Sequence, residues 1–110
     1  MSNPTYKEIQ YDVGDTRTVT DGTTAIKSFI AKAQQDVRDI TGTTVNFDNA
    51  IRNLADVYTI NAALGGLGPE SVGQAHWENM KKTFEENFKN ALLRKGYSPD
   101  GISMKWESTT

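Results

Sequence analysis

The sequence predicts a mainly α fold: a three-helix bundle with a small β-hairpin or extended arm at the N-terminus and an extended C-terminal arm. Three observations predict it. Apolar residues recur at helical spacing between residues 23 and 96. Near the two ends they occupy every second position instead, at Ile9, Tyr11 and Val13 and at Ile102, Met104 and Trp106. That spacing puts side chains on one face of an extended segment. Glycine and proline punctuate the rest, at Gly42, at Gly65-Gly66-Leu67-Gly68-Pro69 and at Gly96. The expected organisation is an N-terminal β arm (1–22), a helical domain (23–96) and an extended C-terminal arm (97–110).

In the N-terminal arm, Ile9, Tyr11 and Val13 alternate with Glu8, Gln10 and Asp12. Gly14-Asp15 suits a two-residue hairpin turn, and the β-branched run Thr16-Arg17-Thr18-Val19-Thr20 supplies a second strand. In that register Asp12 faces Arg17, a modest cross-strand charge pair. A lone hairpin is only marginally stable, so this one needs a surface to lie on.

Asp21-Gly22-Thr23-Thr24 offers several N-caps for the first helix. Its stripe, Ile26, Phe29, Ile30, Ala33, Val37 and Ile40, falls within roughly 80° of arc. Gly42 ends it. The second helix starts at Asn46 or Asp48 and runs to Leu64, with Ala50, Ile51, Leu54, Ala55, Val57, Tyr58, Ile60, Ala62, Ala63 and Leu64 spread over more than half its circumference. A helix that apolar is central. Asn61 shares that broad face and needs a hydrogen-bond partner or an interface. The third helix opens on Pro69-Glu70 or is capped by Ser71, and buries Trp77, Met80, Phe84, Phe88, Ala91 and Leu92. After Gly96, Tyr97-Ser98-Pro99-Asp100-Gly101 reads as a turn, and Ile102, Met104 and Trp106 follow as an extended stripe.

The composition excludes several function classes. A chain of 110 residues fits one domain. Its 12 basic and 14 acidic residues leave a formal charge of -2, no general drive toward nucleic acid or an anionic membrane. Without cysteine there are no disulfides and no thiolate metal sites. Met1-Ser2-Asn3-Pro4-Thr5 does not open a signal peptide, and no run approaches the ~20 apolar residues of a membrane span. A soluble protein, kept inside a cell or packed into a particle, is the expectation.

No catalytic constellation stands out. His76 is the only histidine and has no companion ligands for zinc. The glycine-rich run 65–69 lacks the lysine of a phosphate loop, and Pro69 removes a donor. The acid pairs Glu85-Glu86 and Asp36-Asp39 fall on expected polar faces, where nothing splits their proton affinities. Lys81, Lys82, Lys89, Arg94 and Lys95 make the third helix locally basic, but Glu78, Glu85 and Glu86 dilute the field. The aromatic stripe Trp77-Phe84-Phe88 reads as core. Trp106 is either folded back on its own domain or an anchor in an adjacent subunit, where a large buried ring is favoured. These features predict no enzyme, no cofactor and no metal. They point to partner contacts through Ile9, Tyr11, Val13, Ile102, Met104 and Trp106, because so small a domain has little core with which to cover two terminal stripes.

The run Ile26-Lys27-Ser28-Phe29-Ile30-Ala31-Lys32-Ala33-Gln34-Gln35-Asp36-Val37, with the Thr41-Gly42 break after it, resembles the first long helix of tailed-virus head–tail connector proteins, also called adaptor or head-completion proteins. Ala50-Ile51-Arg52-Asn53-Leu54-Ala55 and the Lys82-Phe84 to Leu92 segment extend the likeness over roughly residues 23–96 by element order and apolar spacing. The strand-like N-terminal extension departs from a plain helical connector. The resemblance implies a virion protein of the viral neck, assembled in the host cytoplasm into an oligomeric ring. Such a ring joins the capsid portal to the next neck or tail protein and continues the DNA channel without reading sequence or touching a membrane. The terminal arms would then dock on neighbours by strand addition or by filling pockets. The alternative is a small intracellular helical protein-binding or regulatory module.

Overall fold

A computed structural model describes residues 4–14, 22–65 and 74–100. They form four helices: α1 (Tyr6–Val13), α2 (Gly22–Thr41), α3 (Asp48–Gly65) and α4 (Gln74–Leu93). Helix α3 is the hub, packed against each of the other three. Its sequence explains this. Ala50, Ile51, Leu54, Ala55, Val57, Tyr58 and Ile60 are all buried, so apolar surface faces several directions and one neighbour cannot cover it. Ile26, Ile30, Ala33 and Val37 of α2 pack on one side, and Phe88 and Leu92 of α4 close another. Trp77 of α4 joins Val13 and Ile60 in a smaller cluster at the other end. The three long helices follow the expected stripes.

Glycines end two of them. Gly42 (φ 82°) and Gly96 (φ 86°) adopt the left-handed conformation that L side chains avoid. Gly42 N–H returns to Arg38 O at 2.8 Å, and Tyr97 N–H returns to Leu92 O at 3.0 Å. The loop before α3 tucks Phe47 inward, edge-on to Tyr97 with ring centroids 5.8 Å apart. The ammonium of Lys95 lies over the Phe47 ring and donates to Asn46 O. These contacts tie the start of α3 to the end of α4, so the two helices run antiparallel.

The N-terminal segment departs from the sequence expectation. Tyr6–Val13 is a helix, not a strand. Ile9 and Val13 stand four residues apart and therefore share one helix face, whereas Tyr11 turns to the other. Ile9 is 0% exposed and Val13 2%, while Tyr11 is 84% exposed. A capping box starts the helix. Glu8 N–H donates to Thr5 Oγ1 at 3.4 Å, and Thr5 N–H donates to Glu8 Oε1 at 3.0 Å. Gly14 (φ 81°) ends it instead of opening a hairpin, its N–H donating to Gln10 O at 2.9 Å. The expected second strand, Thr16–Thr20, and Arg17 with it, lie outside the described residues, and Asp12 meets Arg52 of α3. Among the described residues there is no strand.

At the other end, Tyr97 packs on the core and Pro99 is buried, so the first residues of the expected C-terminal arm belong to the helical body. Ile102, Met104 and Trp106 lie outside the described residues.

Candidate functional site

Two polar features adjoin on the side of α3 that α2 leaves uncovered. The first is a clamp between α1 and α3. Residues Glu8 and Asp12 are four apart on α1, and Arg52 and Asp56 are four apart on α3, so each pair presents one face to the other helix. The Arg52 guanidinium makes a two-pronged contact with Asp12, Nε to Oδ2 and Nη2 to Oδ1, both at 2.7 Å. Its remaining nitrogen, Nη1, reaches Glu8 Oε2 at 2.9 Å. Glu8 therefore serves both the capping box and the clamp, one oxygen to each.

Behind Arg52 lies Asp56, 0% exposed, with no hydrogen-bond partner among the described residues for either oxygen as a carboxylate. A proton on Asp56 gives one of these oxygens a partner, by making it a donor to Asp12. Burial pushes the Asp56 carboxyl up to about 10, and the hydrogen bond and charge of Asp12 push the same way against the charge of Arg52. Burial acts to raise Asp12 too, but bonds from Arg52 and Asp56 outweigh it and hold that carboxyl below its ordinary value. Arg52 is held firmly protonated, chiefly by its bonds to Asp12. The two acids have divergent proton affinities, the pattern of an acid–base pair. Asp56 cannot reach solvent, however, so its proton serves the clamp.

The second feature is a cavity of about 260 Å³ between α3 and α4. Asn49, Arg52 and Asn53 form one wall, and Phe84, Asn87 and Asn90 the other. Asp12 stands at its edge, and Arg94 closes the end nearest the α4 terminus. Asn53 is only 7% exposed, and its Nδ2 donates to Asn49 O at 2.8 Å and Asn49 Oδ1 at 3.1 Å. A smaller cavity of about 120 Å³ continues past Asn49 and Arg94 and is walled by Phe47, Ala50 and Ala91.

Of the sequence-predicted contact residues, Ile9 and Val13 belong to the chain's own core and are closed to a partner in this fold. Tyr11 alone of that trio is open. His76 is exposed and stacks edge-on against Trp77, with centroids 6.2 Å apart. Among the described residues no group of three or more acidic, histidine or cysteine side chains could hold a metal ion. Asp36 sits on a buried face, contrary to the expectation from its pairing with Asp39, because the Tyr58 hydroxyl donates to it. Burial, then Asp36, pushes the Tyr58 hydroxyl upward. Asn61 Oδ1 is buried without a hydrogen-bond partner among the described residues.

The fold is thus an α-helical bundle, and no described helix is long and apolar enough to cross a membrane. No protein-family model matches the chain, nor does any curated protein or any solved structure.

Proposed function

We propose that this chain is a non-enzymatic structural adaptor of a tailed-virus neck, a subunit that repeats around a ring between the capsid portal and the next neck or tail protein. The supporting observation is the order of the segments that resemble head–tail connectors. They fall in turn on α2, α3 and α4, three helices around a shared core. Identical head-to-tail contacts from subunit to subunit close a ring when the rotation per step allows it. Weak contacts suffice in such an assembly, because each one raises the effective concentration for the next. Tyr11 is the N-terminal docking residue in this reading. Ile102, Met104 and Trp106 are the C-terminal ones, and DNA passes through the ring without sequence-specific contact.

Sedimentation of the purified full chain, alone and mixed with a candidate portal, tests the proposal. A ring-sized oligomer or a stable portal complex is expected. A strict monomer under both conditions overturns it.

A further inference from the structure

We propose that the seam between α3 and α4 is a binding groove for an extended peptide segment carrying an acidic side chain. The walls are unusual for helices. Asparagine is a poor helix former, yet Asn49 and Asn53 on α3 and Asn87 and Asn90 on α4 all line one cavity of about 260 Å³. Packing does not account for the pair on α4. Asn87 and Asn90 are exposed, and their carboxamides make no hydrogen bond among the described residues. A carboxamide carries one carbonyl acceptor and an NH₂ donor, the same set that a peptide group presents. Asn87 and Asn90 can therefore pair with successive peptide groups of an extended chain, while Asn53, buried and bonded to Asn49, shapes the facing wall.

Charge sets the side-chain preference. Glu8 and Asp12 occupy Arg52, whereas Arg94 has no acidic partner among the described residues and borders both cavities. A carboxylate held by Arg94 leaves the adjoining residue to enter the smaller cavity, whose Phe47, Ala50 and Ala91 walls suit a compact aliphatic group. Nucleic acid fits less well, since Asp12 lines the same groove and only Arg94 and Lys95 bring it cations without an acidic partner among the described residues, where a phosphate chain needs several. The polar lining and open shape also differ from the mostly apolar enclosure of a drug-sized ligand.

Equilibrium dialysis of the full chain against a labelled acetyl-Gly-Asp-Val-Gly-amide peptide tests the groove, and it reads a monomer and a ring alike. Saturable binding is expected below ~10 mM, weakened about tenfold when the aspartate of the peptide is replaced by asparagine. Arg94→Gln should lose the same factor, and Asn87→Ala with Asn90→Ala should weaken both peptides. All these side chains are at the surface, so circular dichroism should show each variant folded. Absence of saturable binding, equal affinity for the two peptides, or full competition by equimolar inorganic phosphate overturns the proposal. A chain that binds the peptide yet stays monomeric with and without portal sinks the ring and leaves the groove standing.

Discussion

Helices α1 and α2 both dock on α3, but by different physics. Helix α2 brings Ile26, Ile30, Ala33 and Val37 into a largely apolar seam that carries a buried polar contact, the Tyr58 hydroxyl donating to Asp36. Helix α1 has eight residues, buries two fully, and relies on Glu8 and Asp12 around Arg52, with a proton on Asp56 behind them. An apolar seam responds little to salt or pH. A clamp of partly exposed charges responds to both. One hub thus carries a neighbour held mainly by apolar packing and another that adds a charged clamp to the burial of Ile9 and Val13.

The largest effect comes from breaking the apolar seam. Ile26→Ala deletes a fully buried side chain and should cost about 2–5 kcal/mol in urea unfolding, nearly unchanged between low and high salt. Arg52→Ala attacks the other attachment. It leaves the carboxylates of Glu8 and Asp12 without their cation and should cost about 2–3 kcal/mol at low salt, a loss that shrinks as salt is added.

Asp56→Asn sharpens the contrast with the opposite sign. An unfolded aspartate ionises near ~4, whereas folded Asp56 keeps its proton up to about 10. Between those values folding takes up a proton, so stability falls as pH rises, by at most about 1.4 kcal/mol per unit. Asp12 acts the other way. Its depressed pKa contributes stability above about 4 that is lost as pH drops through the folded value. Wild-type stability should therefore peak at about pH 4–5 and decline toward alkali. Asn supplies the donor to Asp12 without a titrating proton. The variant should gain stability at pH 8, by at most about 5 kcal/mol, and lose the alkaline slope in pH-dependent unfolding.

The smallest effect belongs to the cap. Thr5→Ala removes the acceptor for Glu8 N–H and should cost about 1 kcal/mol, seen as faster hydrogen exchange in α1 alone.

The three long helices were legible because their apolar stripes run for many turns, and two of them end at glycines, Gly42 and Gly96. The first helix was not, because Ile9, Tyr11 and Val13 satisfy a period of two while Ile9 and Val13 also satisfy an offset of four. Thr5-Tyr6-Lys7-Glu8, a capping-box pattern, was the signal that separates these readings. The clamp was hidden for a different reason. Asp56 is an acid inside the most apolar helix, which marks it as unusual, but the α1 acids that Arg52 holds beside it, Asp12 and Glu8, lie 40 and 44 positions before Arg52. Same-face asparagine pairs at 49/53 and 87/90 were visible along each helix. Their meeting across a groove depends on the antiparallel pairing of α3 with α4, which spacing within one helix does not encode.

Native-state hydrogen exchange of the wild type and Arg52→Ala, at fixed pH and low salt, tests the two modes of docking most directly. The amides of Ile9–Val13 should lose nearly all protection in the variant while those of Ile30–Val37 keep theirs. Equal loss in both helices, or no loss in α1, would show that the same apolar core holds them both.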